Sequence, residues 1–151
     1  MRVDFYQLGA VPLEQVIASL AEKLLKENER LVVVSGDNVQ LARLDRILWD
    51  QGPASFLPHA TVGESDDSRQ PVLLAADADA PNRARNLLIA DGKWREASLA
   101  FERVFYLFGH DAIDEARDAW RSLAGRSQVE RHYWANEDGR WREKSAARQS
   151  A

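Results

Sequence analysis

Leu31-Val32-Val33-Val34, set between Arg30 and Ser35, decides the fold. Four consecutive aliphatic residues leave no polar face, so a strand made of them must be covered on both sides, as in a parallel sheet flanked by helices. Upstream, residues 13–29 carry Val16, Leu20, Leu24 and Leu25 at three- and four-residue spacing, with Ile17 and Ala21 beside them. That is the stripe of an amphipathic helix, and Pro12 suits its first turn. Before it, Val3-Asp4-Phe5-Tyr6-Gln7-Leu8 alternates like a strand. Together these segments predict a β-α-β unit.

Downstream, Gly36-Asp37-Asn38 punctuates the chain. Asp37 or Asn38 is placed to cap a second helix carrying Leu41, Leu44, Ile47, Leu48 and Trp49, which stops before Gly52-Pro53. Val72-Leu73-Leu74 and Asn86-Leu87-Leu88-Ile89 read as short strands. The link between them, holding Asp77, Asp79, Pro81 and Asn82, is too short for a crossover helix and leaves the topology there open. Residues 101–108 predict another strand, and 111–124 a helix capped by Asp111 and stopped by Gly125. Strands over 129–135 and 140–143 flank Asn136-Glu137-Asp138-Gly139, a hairpin turn, with Trp134 and Trp141 expected to pack across it. The fold class is therefore α/β: three layers around a mostly parallel central sheet with an antiparallel C-terminal edge. A single domain is expected over 1–144, with a frayed tail over 145–151.

The absence of cysteine excludes disulfides, thiolate metal ligands and cysteine nucleophiles. Met1-Arg2-Val3-Asp4-Phe5-Tyr6 lacks the apolar run of a signal peptide, and no stretch approaches the roughly 18 apolar residues of a membrane span, so a cytoplasmic location without membrane contact is expected. A net charge of −4 argues against a protein that grips nucleic acid over its whole surface. The charge is uneven, however: residues 1–100 carry 11 Lys/Arg against 15 Asp/Glu, and 101–151 carry 9 against 9, which leaves room for a local anion-binding patch.

Chemistry is sparse. The first two strand-to-helix turns, Leu8-Gly9-Ala10-Val11-Pro12 and Ser35-Gly36-Asp37-Asn38, lack the glycine spacing of a phosphate loop, so no cofactor is expected. His59, His110 and His132 show no metal-ligand spacing, and no metal is expected. Asp66-Asp67, Asp77/Asp79 and Glu137-Asp138 sit in turns, where solvated acids are ordinary. Ser35 lacks the nucleophile elbow. No catalytic residue emerges.

What stands out is the 111–124 helix, where Ile113, Arg117, Trp120, Arg121 and Ala124 fall at three- and four-residue steps. One reading is a surface for a carboxylate-bearing peptide, since arginine binds carboxylates bidentately and Trp and Arg are enriched at interface hot spots. The other, to which the pattern leans, makes Trp120 core and pairs Arg117 with Asp114 or Asp118 in solvent. A second cluster, Leu48-Trp49 followed by Phe56-Leu57-Pro58-His59, suits loop packing and an exposed partner surface equally.

Read in order, Val3-Asp4-Phe5-Tyr6, Leu44-Asp45-Arg46-Ile47-Leu48-Trp49, Ser55-Phe56-Leu57-Pro58-His59, Gln70-Pro71-Val72-Leu73-Leu74, Phe101-Glu102-Arg103-Val104, Ala116-Arg117-Asp118-Ala119-Trp120-Arg121 and Tyr133-Trp134 to Gly139-Arg140-Trp141 resemble the chi subunit of bacterial DNA polymerase III holoenzyme. The resemblance implies a non-enzymatic, Rossmann-like α/β domain without a phosphate loop that joins the clamp loader to the replication fork during DNA replication. It implies two partners: the acidic C-terminal tail of single-stranded DNA-binding protein, and the psi subunit of the clamp loader where one is present. DNA would be met only indirectly. Carried over by position, Arg117 receives the tail carboxylate, with Arg121 and Trp120 beside it and Tyr106 near the apolar pocket. Trp49 and Phe56 match the psi-facing region. Ile113 stands where relatives often have a base, so that contact is missing or supplied by Arg131 or Arg126. The rival reading is a nucleotide-binding enzyme on a degenerate Rossmann-like fold.

Overall fold

A computed structural model of the chain describes residues 1–50, 58–64 and 66–148. Its elements run β1 (Arg2–Gln7), α1 (Leu13–Lys26), β2 (Leu31–Val34), α2 (Asn38–Trp49), β3 (Ala60–Thr61), β4 (Val72–Ala75), β5 (Asn86–Ile89), β6 (Arg103–Phe108), α3 (Ile113–Ser122), β7 (Glu130–Glu137) and β8 (Arg140–Arg148). The eight strands form one sheet in the order β3-β4-β2-β5-β6-β1-β7-β8. Every pairing is parallel except β7 with β8. The α/β class with an antiparallel C-terminal edge is as the sequence implies.

β2 is buried at all four residues because its two faces meet two cores. Val32 and Val34 join Val3, Phe5, Tyr106, Ala116 and Ala119 under α3. Leu31 and Val33 join Ile17, Leu24, Leu44 and Leu48 under α1 and α2. Each of those fully buried leucines contributes about 1.5–3 kcal/mol. The open link between β4 and β5 passes over β2, which lies between them. Its fold depends on Asn82, fully buried, whose side-chain amide donates to the Gln70 carbonyl (2.9 Å) while its backbone carbonyl accepts from Arg30 (2.8 Å).

Several boundaries differ from the sequence reading. α1 stops at Lys26, not 29, because Asn28 takes the left-handed conformation (φ 58°) and the Glu29 N–H reaches back to the Leu24 carbonyl at 2.8 Å. This is a Schellman ending with asparagine in glycine's place. Asp111 does not cap α3: it sits in a 3-10 turn, His110–Ala112, and no side chain caps the helix. At the far end α3 tightens into a second 3-10 turn, Leu123–Gly125, so the helix is shorter than 111–124. Asp138 and Gly139 (φ 53° and 81°) form a two-residue turn, and the hairpin extends outward from it to Glu130 and Arg148. The last strand therefore runs past Lys144, where the sequence suggested the tail begins. Trp134 and Trp141 both pack on Tyr6, at 6.5 and 5.1 Å between ring centroids, and Trp134 Nε1 also donates to Asp4 (3.0 Å).

Candidate functional site

α3 buries Ala116 and Ala119 against the sheet, small residues that let the helix sit close, while Arg117 and Arg121 stay exposed. Between this helix and the β7–β8 hairpin lies a hollow of about 430 Å³ lined by Asp114, Arg117, Trp120, Arg121, Tyr133 and Ser145. Trp120 is half-buried, its ring edge-on to Phe5 (5.2 Å) and to Tyr133 (5.8 Å), so the indole is fixed by the core yet reaches the hollow. Trp120 is thus packed against the core and also lines a surface cavity.

The arginines differ in their partners. Arg121 pairs with Asp118 at 3.0 Å, and Arg126 pairs with Glu96. Arg117 has no ion pair among the described residues, so the pairing with Asp114 or Asp118 expected if the helix face is merely solvated is not formed. Its guanidinium instead faces the Tyr133 hydroxyl, which donates to Gln7 Oε1 at 2.9 Å. Burial raises Tyr133 above its ordinary pKa of 10, and Arg117 pulls the other way. A free carboxylate entering the hollow would find the Arg117 guanidinium at its rim and aromatic carbon at its floor.

The remaining residues singled out in the sequence lie elsewhere. Tyr106 is fully buried, stacked on Phe5 at 5.3 Å with its hydroxyl donating to the Gly92 carbonyl (2.7 Å), so it backs the aromatic layer and does not line the hollow. Ile113 is half-buried against the same core. Tyr133 is not among the site residues that the sequence suggests. Its alternation with Arg131 along the strand was a signal, but reading it requires knowing that β7 lies beside β1.

Trp49 ends α2 on the opposite face of the sheet and is 53% exposed, its ring 4.9 Å from His59. His59 is buried, with Nε2 3.0 Å from an Asp45 carboxylate oxygen. A hollow of about 530 Å³ adjoins Trp49, bounded also by Leu41, Asp45, Arg46 and Glu64. Phe56 lies outside the described residues.

The carboxyl ends of the parallel strands are where such sheets hold nucleotides. Here the Asp37 carboxylate accepts from the N–H groups of Val39 (2.9 Å) and Gln40 (3.3 Å), which are the donors a phosphate at the start of α2 would use. The Gly36 N–H is taken by Asp91 (2.8 Å). Burial works against the Asp91 charge, yet hydrogen bonds from Arg95 and from the Gly36 and Lys93 amides hold its pKa below the ordinary value. An anion would meet two fixed carboxylates there. Among the described residues no group of three or more His, Cys, Asp or Glu is placed to hold a metal ion, and no helix is long and apolar enough to cross a membrane.

A sequence model of the family described as DNA polymerase III chi subunit, HolC, matches residues 1–129. The DNA polymerase III subunit chi of Escherichia coli (strain K12) is 29% identical over 82 residues, 54% of this chain and 56% of that protein. That of Pseudomonas aeruginosa is 33% identical over 91 residues, covering 58% and 62%. A probable DNA polymerase III subunit chi from Rickettsia prowazekii is 28% identical over 75 residues, covering 50% and 46%. The chain thus spans about half to three-fifths of the length of these curated relatives. With the family match extending from β1 through α3, the chain belongs to the DNA polymerase III chi subunit family.

Proposed function

We propose that this chain is a non-catalytic accessory subunit of the DNA polymerase III holoenzyme, acting in the cytoplasm, that links the clamp loader to single-stranded DNA-binding protein. The α3 hollow takes the acidic C-terminal tail of that protein: Arg117 receives a carboxylate, Arg121 adds charge at the rim, and the Trp120–Tyr133 floor takes the terminal aromatic side chain. The observation that carries this reading is Arg117, exposed and without an ion pair among the described residues, at the edge of a cavity floored by two aromatic rings. DNA is met only through the tail.

Each site is weak on its own. Charge-assisted hydrogen bonds of about 1.5–3 kcal/mol each, less the entropy of ordering a peptide, give micromolar affinity. Many tails on coated single-stranded DNA would then raise the effective strength by about 10²–10⁴. The second contact is the Trp49 face, to which we assign the psi subunit where one is present, with Phe56 as part of that surface. Trp49 and Arg117 lie on opposite faces of the sheet, which lets both partners bind at once. Titration of the purified chain with a labelled acidic peptide ending in phenylalanine tests the tail site. Arg117→Ala should weaken binding at least tenfold, and unchanged binding in that variant would refute the assignment.

A further inference from the structure

β7 lies beyond residues 1–129 that match the family, and it brings a second cation up to Trp120. Arg131 is only 8% exposed. Its guanidinium carbon sits 4.3 Å from the Trp120 ring centroid, and one terminal nitrogen donates to the Trp120 carbonyl oxygen at 2.6 Å. Its Nε is buried with no hydrogen-bond partner among the described residues. Among the described residues no carboxylate stands within ion-pair distance of it, in contrast to Arg121 and Arg126, and burial lowers its pKa from the ordinary arginine value.

A buried charge without a counter-ion is costly, and packing alone would favour an aliphatic residue such as Val129 two positions earlier. Arg131 does not itself line the hollow, but it stacks on Trp120, which does, and an anion held there would relieve part of that cost. Building on the acidic-tail reading above, we propose that Arg131 is a positioning and electrostatic residue of this site: it fixes the Trp120 indole from behind and supplies an uncompensated positive charge that an acidic peptide neutralises on binding. The hairpin is then a functional wall of the site, and the partner it favours carries several negative charges, not one.

The test is a salt series of anisotropy titrations on the full chain, using a labelled peptide of several aspartates ending in phenylalanine with a free carboxylate. Arg131→Gln keeps a donor for the Trp120 carbonyl and a planar head over the indole but removes the charge. It should weaken binding by about three- to tenfold, the range for one partly screened charge, and flatten the salt dependence. Arg131→Lys, which keeps the charge, should retain the wild-type salt slope. If Arg131→Gln does not fold, Arg131→Lys carries the test alone, and a flattened slope there overturns the proposal. Wild-type affinity and slope in Arg131→Gln, alongside lost binding in Arg117→Ala, would overturn the role of Arg131 while sparing the site. Unchanged binding in Arg117→Ala would overturn the site reading itself.

Discussion

Replacing Asp4 by asparagine tests how the N-terminal strand is held between its neighbours. The Asp4 carboxylate is fully buried, and its two oxygens accept from Arg2 on the same strand (2.9–3.2 Å), from Arg103 Nε on β6 (3.2 Å) and from Trp134 Nε1 on β7 (3.0 Å). One carboxylate therefore ties β6, β1 and β7 together, on the face of the sheet opposite α3. Removing one partner of a buried ion pair costs about 3–5 kcal/mol. Arg2 and Arg103 are 37% and 32% exposed at their side chains, so both heads can turn to water, and asparagine keeps an acceptor for Trp134. These features reduce the expected loss to about 2 kcal/mol. For a chain of this size that is a fall of about 4–8 °C in melting temperature. Thermal unfolding followed by far-ultraviolet circular dichroism, with tryptophan emission recorded in parallel for Trp134, measures it. A melting temperature within about 1 °C of wild type would refute the reasoning, because it would mean that water solvates these groups as well as Asp4 does.

Two further outcomes follow from the same geometry. His132 has Glu143 on one ring nitrogen and Glu130 on the other, with Arg2 and Asp4 nearby; burial opposes its charge, but the two carboxylates outweigh it and raise its pKa above 6.5. A raised value means stability that is fully present below about 6.5 and lost as pH rises through the folded-state value. The gap in melting temperature between wild type and His132→Gln should therefore narrow from about pH 5.5 to 9, and a constant gap contradicts this. Gly92 has φ +74°, and a Cβ there would stand 2.9 Å from the Ala112 Cβ. Gly92→Ala should cost about 1–3 kcal/mol in urea unfolding, and an unchanged midpoint would contradict it.

Much of this architecture is legible locally. Leu31-Val32-Val33-Val34 announces a strand covered on both faces, and Asp37 caps α2 as its position suggests. Features that depend on one unusual backbone state are not: Asn28 ends α1 in a conformation usually left to glycine, and β8 is held by its hairpin although Arg-Trp-Arg-Glu-Lys-Ser shows no apolar alternation. The site divides in the same way. Arg117, Trp120 and Arg121 share a helix face and so are readable from spacing. Tyr133 and Arg131 reach that face only because β7 pairs in parallel with β1, Gln7 beside Ala135, a contact that no short-range pattern encodes. Tyr106 fails as a site residue for the converse reason, since its strand is an interior one and its hydroxyl is turned toward Gly92.

The central claim, that Arg117 receives a peptide carboxylate, is tested most directly by a double-mutant cycle between the protein and its ligand. Wild type and Arg117→Ala are each titrated with the acidic phenylalanine-ending peptide in two forms, one with a free terminal carboxylate and one amidated. The account predicts that amidation weakens binding to wild type by about tenfold but changes little for Arg117→Ala, a coupling of about 1–1.5 kcal/mol. Equal losses on amidation in both proteins would show that the carboxylate and Arg117 act independently, and would contradict it.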